Sequence, residues 1–123
     1  MSISYVVDPE RQVVTSHWTG EVTIQEIREH WVILLEDPAV RAITRSLADV
    51  RAAQFKFNGE ELRRAVVEIA APRLKGRKWC SAIVISDTAQ YGVSRQFEVF
   101  SGFLTKSAIF RSVDEAEAWI LGQ

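Results

Sequence analysis

Signals for the start of a helix recur along this chain, and each one follows a run of strand-forming residues. In a capping box, a Ser, Thr or Asn side chain and a Glu three residues later bond each other's backbone amides. The pattern occurs at Thr23, Asn58 and Ser112. Asp87, after a β-rich apolar run, is a fourth candidate cap. Strands that alternate with helices in this way predict an α/β fold with a largely parallel sheet.

The segments between the caps predict five strands. Residues 3–7 and 12–18 flank the turn Asp8-Pro9-Glu10-Arg11 and are expected to pair as an antiparallel hairpin at one edge of the sheet. The remaining strands are predicted at 43–50, 79–86 and 106–110.

Glycine and proline predict where elements end. Thr19-Gly20 is expected to end the second strand, and Pro38 the first helix. Pro72 should kink or end the second helix, with Gly76 as its stop. The whole chain, 1–123, is predicted to be one domain with four helices.

Composition and charge argue against several classes of partner. The formal net charge is -1, so the chain has no overall field that would attract nucleic acid. One cysteine permits no intrachain disulfide, and the N-terminal residues lack the pattern of a secretion signal. No stretch reaches the roughly 18 apolar residues of a membrane span. We therefore predict a cytoplasmic protein with no membrane span and no nucleic-acid partner.

Three segments carry a family resemblance: 18–23 (Trp-Thr-Gly-Glu-Val-Thr), 47–51 (Leu-Ala-Asp-Val-Arg) and 108–120 near the C-terminus. Together they resemble the SpoIIAA-like family of small bacterial proteins, which is grouped with STAS and SEC14-type domains. The resemblance implies a βα superhelix and a non-enzymatic regulatory role. Anti-sigma-factor antagonists of this fold carry a phosphorylatable serine in Asp-Ser-Ser/Thr-Gly, where the third strand leads into the next helix. The corresponding residues 49–53 read Asp-Val-Arg-Ala-Ala, which implies that this phospho-switch is absent.

Catalytic and cofactor motifs are not found in the sequence. His17 and His30 fall in different elements and match no zinc-site spacing. No glycine-rich phosphate loop or nucleophile elbow occurs, so we predict no enzyme activity, no metal and no cofactor. A polar site at the ends of strands could be formed by Asp49, Arg51 and Asp87, although Asp87 is equally explained as a helix cap. The basic residues of 73–78 are best explained as a helix C-terminus.

The predicted helix after Asp87 is more apolar than a surface helix requires. Its apolar residues form a main stripe with an extension beyond it: Val93, Phe97, Phe100 and Leu104, then Tyr91, Val99 and Phe103. This surface could be buried in the core, form a homodimer contact, or line an apolar pocket. Our leading hypothesis is a homodimeric protein-interaction or regulatory module, and the alternative is a carrier or sensor of an apolar small molecule or lipid.

Overall fold

A computed structural model of the chain describes residues 2–123. Its strands are β1 (Ile3–Asp8), β2 (Val13–Thr23), β3 (Arg45–Lys56), β4 (Cys80–Val84) and β5 (Lys106–Phe110). They form one sheet in the order β1-β2-β3-β4-β5. The β1–β2 pair is antiparallel and the other pairs are parallel. The predicted sheet, with its antiparallel N-terminal edge strand, is confirmed.

The helices are α1 (Ile24–Glu36), α2 (Gly59–Ala65), α3 (Ala71–Leu74), α4 (Thr88–Ser101) and α5 (Val113–Leu121). A π-helical turn, Val66–Ala70, joins α2 to α3 with helical backbone angles throughout. The two therefore count as one helix, and the predicted total of four is confirmed. Pro72, which lacks an amide hydrogen, lies just after the wider π turn and does not end the helix. Gly76, at φ +78°, follows the helix end as predicted.

The caps that the sequence predicted are formed. Thr23 with Glu26, and Asn58 with Glu61, make both reciprocal bonds of the capping box. The Ser112 hydroxyl accepts a hydrogen bond from the backbone amide of Glu115, the third residue of α5. These motifs act over three residues, and for that reason they can be recognised without knowledge of the tertiary structure.

Two strands are longer than the sequence indicated. The prediction that Thr19-Gly20 ends β2 was wrong, because a register shift between His17 and Thr19 and a φ of +68° at Gly20 carry the strand onward. The third strand also continues well past Val50. Since β4 pairs with β3 only over 45–49, the remainder of β2 and β3 forms a two-stranded ribbon beyond the end of β4.

The two faces of the sheet are covered unequally. On one face lie α1, the α2–α3 helix and α4, which pack over residues such as Val14, Trp18 and Ile83. On the other face α5 alone packs against β3 and β4, through Ala116 and Ile120. Within residues 2–123, no helix is both long enough and apolar enough to cross a membrane.

Candidate functional site

An apolar pocket lies between the sheet and the helices of the three-helix face, with a volume of about 110 Å³. We call it the inner pocket. Its walls come from α1, from the α2–α3 helix, from α4 and from the side chains of β2, β3 and β4 that face these helices. Six aromatic side chains contribute to it: Trp18, Trp31, Phe55, Phe57, Trp79 and Phe97. A pocket lined in this way favours an apolar occupant over a charged one.

Hydroxyl groups interrupt this apolar lining on the sheet side. Ser46 and Ser81 face each other across β3 and β4, with 3.0 Å between their Oγ atoms. Ser16 Oγ accepts a hydrogen bond from Trp18 Nε1 at 2.9 Å. Each hydroxyl has one donor and two acceptor sites, so these serines retain acceptor capacity after their internal bonds. The pocket can therefore satisfy a neutral polar group at one end of an apolar molecule.

His30 of α1 stands where the inner pocket meets the outer surface, and only 8% of it is exposed. Its ring packs edge-on against Trp18 and Tyr5, with centroids 5.5 and 6.0 Å away. Burial lowers the pKa of His30 to about 4, because the imidazolium would lose its hydration. The ring is therefore neutral at pH 7 and brings no charge to the pocket.

The apolar residues predicted on α4 fall into separate groups. Val93 and Phe97 line the inner pocket, and Phe97 packs 5.8 Å from Trp31. Phe100 and Leu104 are partly buried. The helix does not reach Leu104 as predicted, because α4 ends at Ser101 and Phe103 and Leu104 lie in the turn after it. Tyr91, Val99 and Phe103 are exposed, to 46, 70 and 72%. That these residues form a functional surface stays a prediction.

The predicted polar site divides into two structural pairings. Arg51 binds Asp49 through two parallel bonds of 2.9 Å, and this hydrogen bonding holds the pKa of Asp49 below its usual value. Asp87 caps α4 by accepting from the Gln90 amide at 2.8 Å. The Ser86 hydroxyl donates to the Arg51 carbonyl at 2.8 Å, which brings the end of β4 beside β3. Each charged side chain thus has a structural partner.

Gln90 is the residue at this sheet edge that the sequence did not reveal. It is 3% exposed, and its Nε2 donates to the β3 carbonyls of Arg51 and Ala53, at 3.0 and 2.9 Å. Its Oε1 accepts from the Ser86 amide at 2.6 Å. Gln90 therefore occupies the edge of β3 where β4 has ended. We call this arrangement the Gln90 clamp.

The basic segment 73–78 is largely engaged within the fold. Arg73 pairs with Glu36 at 2.8 Å. Arg77 donates to the carbonyls of Leu35 and Val40 and lies over the ring of Trp79. These arginines connect the end of α3 to the end of α1.

Comparisons with known proteins identify the fold. No protein-family model matches the sequence, and no curated protein matches it. Among solved structures, one similar chain is an uncharacterized DUF3478-family protein with a SpoIIAA-like fold from Shewanella loihica PV-4. It has a TM-score of 0.67 and 18% identity, over 97% of this chain and 93% of that one.

Two anti-sigma factor antagonists are also similar. SpoIIAA in its unphosphorylated form has a TM-score of 0.60 and 13% identity, over 98% of this chain and 99% of that one. An anti-sigma factor antagonist from Mycobacterium paratuberculosis has a TM-score of 0.55 and 11% identity, over 97% and 94%. The chain therefore has the SpoIIAA-like fold, and the resemblance stated from its sequence is confirmed at the level of the fold.

The segment assigned to the strand–helix junction lies elsewhere. Residues 49–53 belong to the interior of β3 and pair with β2, whereas the strand ends at Lys56 and the Asn58 cap begins α2. The assignment of 49–53 to the junction was wrong because the bulged ribbon lengthens both strands. The actual junction, 56–59, reads Lys-Phe-Asn-Gly and also contains no serine or threonine.

Proposed function

We propose that this chain, built on the SpoIIAA-like fold, is a non-enzymatic regulatory module that acts by binding protein and that forms a homodimer. The fold is shared with two anti-sigma factor antagonists, which gives the regulatory role its support by analogy. The strand–helix junction has no hydroxyl that could be phosphorylated. Regulation through this fold would therefore depend on binding equilibria and not on a phosphoserine at that position.

The exposed outer face of α4, together with Phe103 in the turn that follows the helix, carries this proposal. Val99 and Phe103 are each at least 70% exposed, and full burial of such a side chain contributes about 1.5–3 kcal/mol. The buried side of α4 is instead formed partly by Gln90, Ser94 and Ser101. A two-fold dimer that places two α4 helices together would bury the apolar outer residues of both copies, and cyclic dimers are the commonest assemblies.

The dimer can be tested by light scattering over a range of protein concentrations. We expect the wild-type chain to have twice the monomer mass, and Val99→Glu and Phe103→Glu to be folded monomers with unchanged circular dichroism. Val6→Glu, the same kind of change at an exposed position of the edge strand β1 and away from α4, is the matched control and should remain dimeric. A monomeric wild-type chain at about 100 μM, or a dimer that survives both apolar-to-charge variants, contradicts this interface.

A second candidate function, carriage or sensing of a small apolar molecule, is favoured by the inner pocket. An engineered apolar cavity of about 150 Å³ in another protein stays dry and binds benzene. The inner pocket, at about 110 Å³, has room for a molecule of that order but not for a whole lipid chain. Its neutral His30 and its serine hydroxyls suit an uncharged ligand with one hydrogen-bonding group, such as a phenol.

Tryptophan fluorescence offers a direct assay because Trp31 and Trp79 line the pocket. Phenol and benzoate are suitable probes, since they are similar in size and differ in charge at pH 7. We expect phenol to change the emission saturably and benzoate to have little effect. Ala48→Leu, which fills the pocket, should abolish the phenol response, whereas Ala118→Leu on exposed α5 surface should preserve it. Equal responses to both probes, or an unaltered response in Ala48→Leu, would exclude the inner pocket as the site.

A further inference from the structure

The outer edge of β1 is an unpaired strand edge. β1 ends the order of the sheet, and no strand of residues 2–123 lies beyond it. The Thr19 amide donates to the Ser2 carbonyl at 2.8 Å, so Ser2 and Thr19 are a hydrogen-bonded pair at the start of the β1–β2 ladder. Bonded pairs alternate in an antiparallel ladder, so the backbone amides and carbonyls of Ile3, Tyr5 and Val7 point away from β2.

This edge lacks the usual protections against pairing. Natural edge strands commonly carry a lysine, a proline or a bulge that discourages another strand. The six residues of β1, Ile-Ser-Tyr-Val-Val-Asp, include none of these, and the β1–β2 register is continuous. Val6 is also 67% exposed. The strand is therefore able to accept a further strand along most of its length.

A groove runs beside the edge and gives an added strand a second surface to contact. It has a volume of about 190 Å³ and lies between β1 and α1. Glu26, Glu29, His30 and Ile33 form its helical side. Peptides that add to a sheet edge gain affinity from main-chain bonds and specificity from alternate side chains that enter such a groove.

The charges in the groove distinguish between possible occupants. Among residues 2–123, its lining contains the carboxylates of Glu26 and Glu29 and no lysine or arginine. Glu26 is engaged in the Thr23 cap, whereas Glu29 is exposed and accepts a hydrogen bond from the side-chain amide of Gln25. Two copies of this chain joined at β1 would bring these carboxylates together, which costs energy. A positively charged occupant gains from the same carboxylates, and the half-exposed Ile33 offers it an apolar contact.

We propose that the β1 edge and the α1 groove form a docking site for an extended segment of another protein, with lysine or arginine and an apolar residue on the side that faces α1. The segment adds to the sheet as a sixth strand. Its backbone pairs with Ile3, Tyr5 and Val7, its basic side chain lies near Glu29, and its apolar side chain contacts Ile33. This site is separate from the outer face of α4, so it can exist whether or not the chain dimerises there.

The test uses the peptide acetyl-Thr-Lys-Thr-Val-Thr-Lys-Thr-amide and its counterpart with Glu in place of both Lys residues. We expect the Lys peptide to bind about tenfold more tightly, a difference of about 1.4 kcal/mol. NMR hydrogen exchange supplies a residue-specific readout. The amides of Ile3, Tyr5 and Val7 should be slowed by the peptide, and those of Ser4 and Val6, already bonded to β2, should not change.

Charge reversal distinguishes a specific groove from general attraction. Glu29→Lys offsets the charge of Glu26 and should abolish the preference for the Lys peptide, while Asp114→Lys, the same change on exposed α5, should leave that preference intact. The proposal is overturned if neither peptide binds at about 1 mM, or if exchange slows elsewhere in the chain. It is also overturned if the β1 edge amides are already protected in a dimer of the chain alone, since a second copy would then occupy the edge.

Discussion

Removal of the Gln90 side chain is the sharpest test of how the sheet and α4 are joined. In Gln90→Ala the buried carbonyl of Ala53 and the part-buried amides of Ser86 and Asp87 lose their side-chain partner. The carbonyl of Arg51 keeps the bond from the Ser86 hydroxyl. A buried polar group left unsatisfied costs about 1–3 kcal/mol, and each of the two part-buried hydrogen bonds contributes about 0.5–1.5 kcal/mol, so we expect a total loss of about 2–6 kcal/mol.

Urea unfolding followed by circular dichroism measures this loss directly. For a chain of this length, the change corresponds to a fall in melting temperature of roughly 10–20 °C. Gln96→Ala is the matched control, because it makes the same substitution at an exposed position of the same helix and should cost less than about 0.5 kcal/mol. Gln90→Glu removes both donors but keeps the acceptor, so it should be at least as destabilising as Gln90→Ala at pH 7. If Gln90→Ala and Gln96→Ala are equally stable, Gln90 does not act as a clamp.

Four further outcomes are expected from changes at single residues. Because the pKa of His30 is about 4 in the folded state, against 6.5 for a fully hydrated histidine, the unfolded state gains the proton first. Stability should therefore be complete above pH 6.5 and fall by about 3 kcal/mol towards pH 4; unfolding of His30→Phe should lack this dependence. Tyr5→Phe removes a hydroxyl that donates to Asp37 at 2.6 Å, and urea titration should show a small loss of stability, because water replaces the hydroxyl at the solvent-accessible carboxylate. Gly76→Ala should lower the melting temperature, at a cost of about 1–2 kcal/mol, because of its φ of +78°. Gly92→Ala, in open space on α4, should raise the free energy of unfolding by up to about 1 kcal/mol.

The sequence predicted those features that depend on neighbouring residues. The caps at Thr23 and Asn58 and the stop at Gly76 are local, and each was found in place. The lengths of β2 and β3 depend on pairing between distant segments and on a bulge, for which a glycine in the sequence gives no unique signal. For the same reason, residues 49–53 were placed at a junction when they lie inside a strand.

The candidate site was harder to predict because the apolar pattern of α4 does not mark its buried side. A hydrophobic stripe identifies the core face of a helix only where the surface beneath it is apolar. Beneath α4 the chain places hydroxyls, including Thr105, which bonds to Ser101 and Ser107 at 3.0 and 3.2 Å. Gln90, Ser94 and Ser101 consequently face inward. A buried glutamine or serine has no pattern of its own, so these roles become visible only in three dimensions.

This polar attachment of α4 connects the two functions proposed for the chain. The apolar residues of α4 lie beside and opposite its buried side: Phe97 lines the inner pocket, and Val99 faces outward. A ligand that contacts Phe97 therefore touches the helix that carries the proposed dimer surface. If a ligand changes the position of α4, it must change the dimer affinity, and by linkage dimerisation must change the ligand affinity by the same factor. Ligand sensing and protein binding would then be coupled through the position of α4.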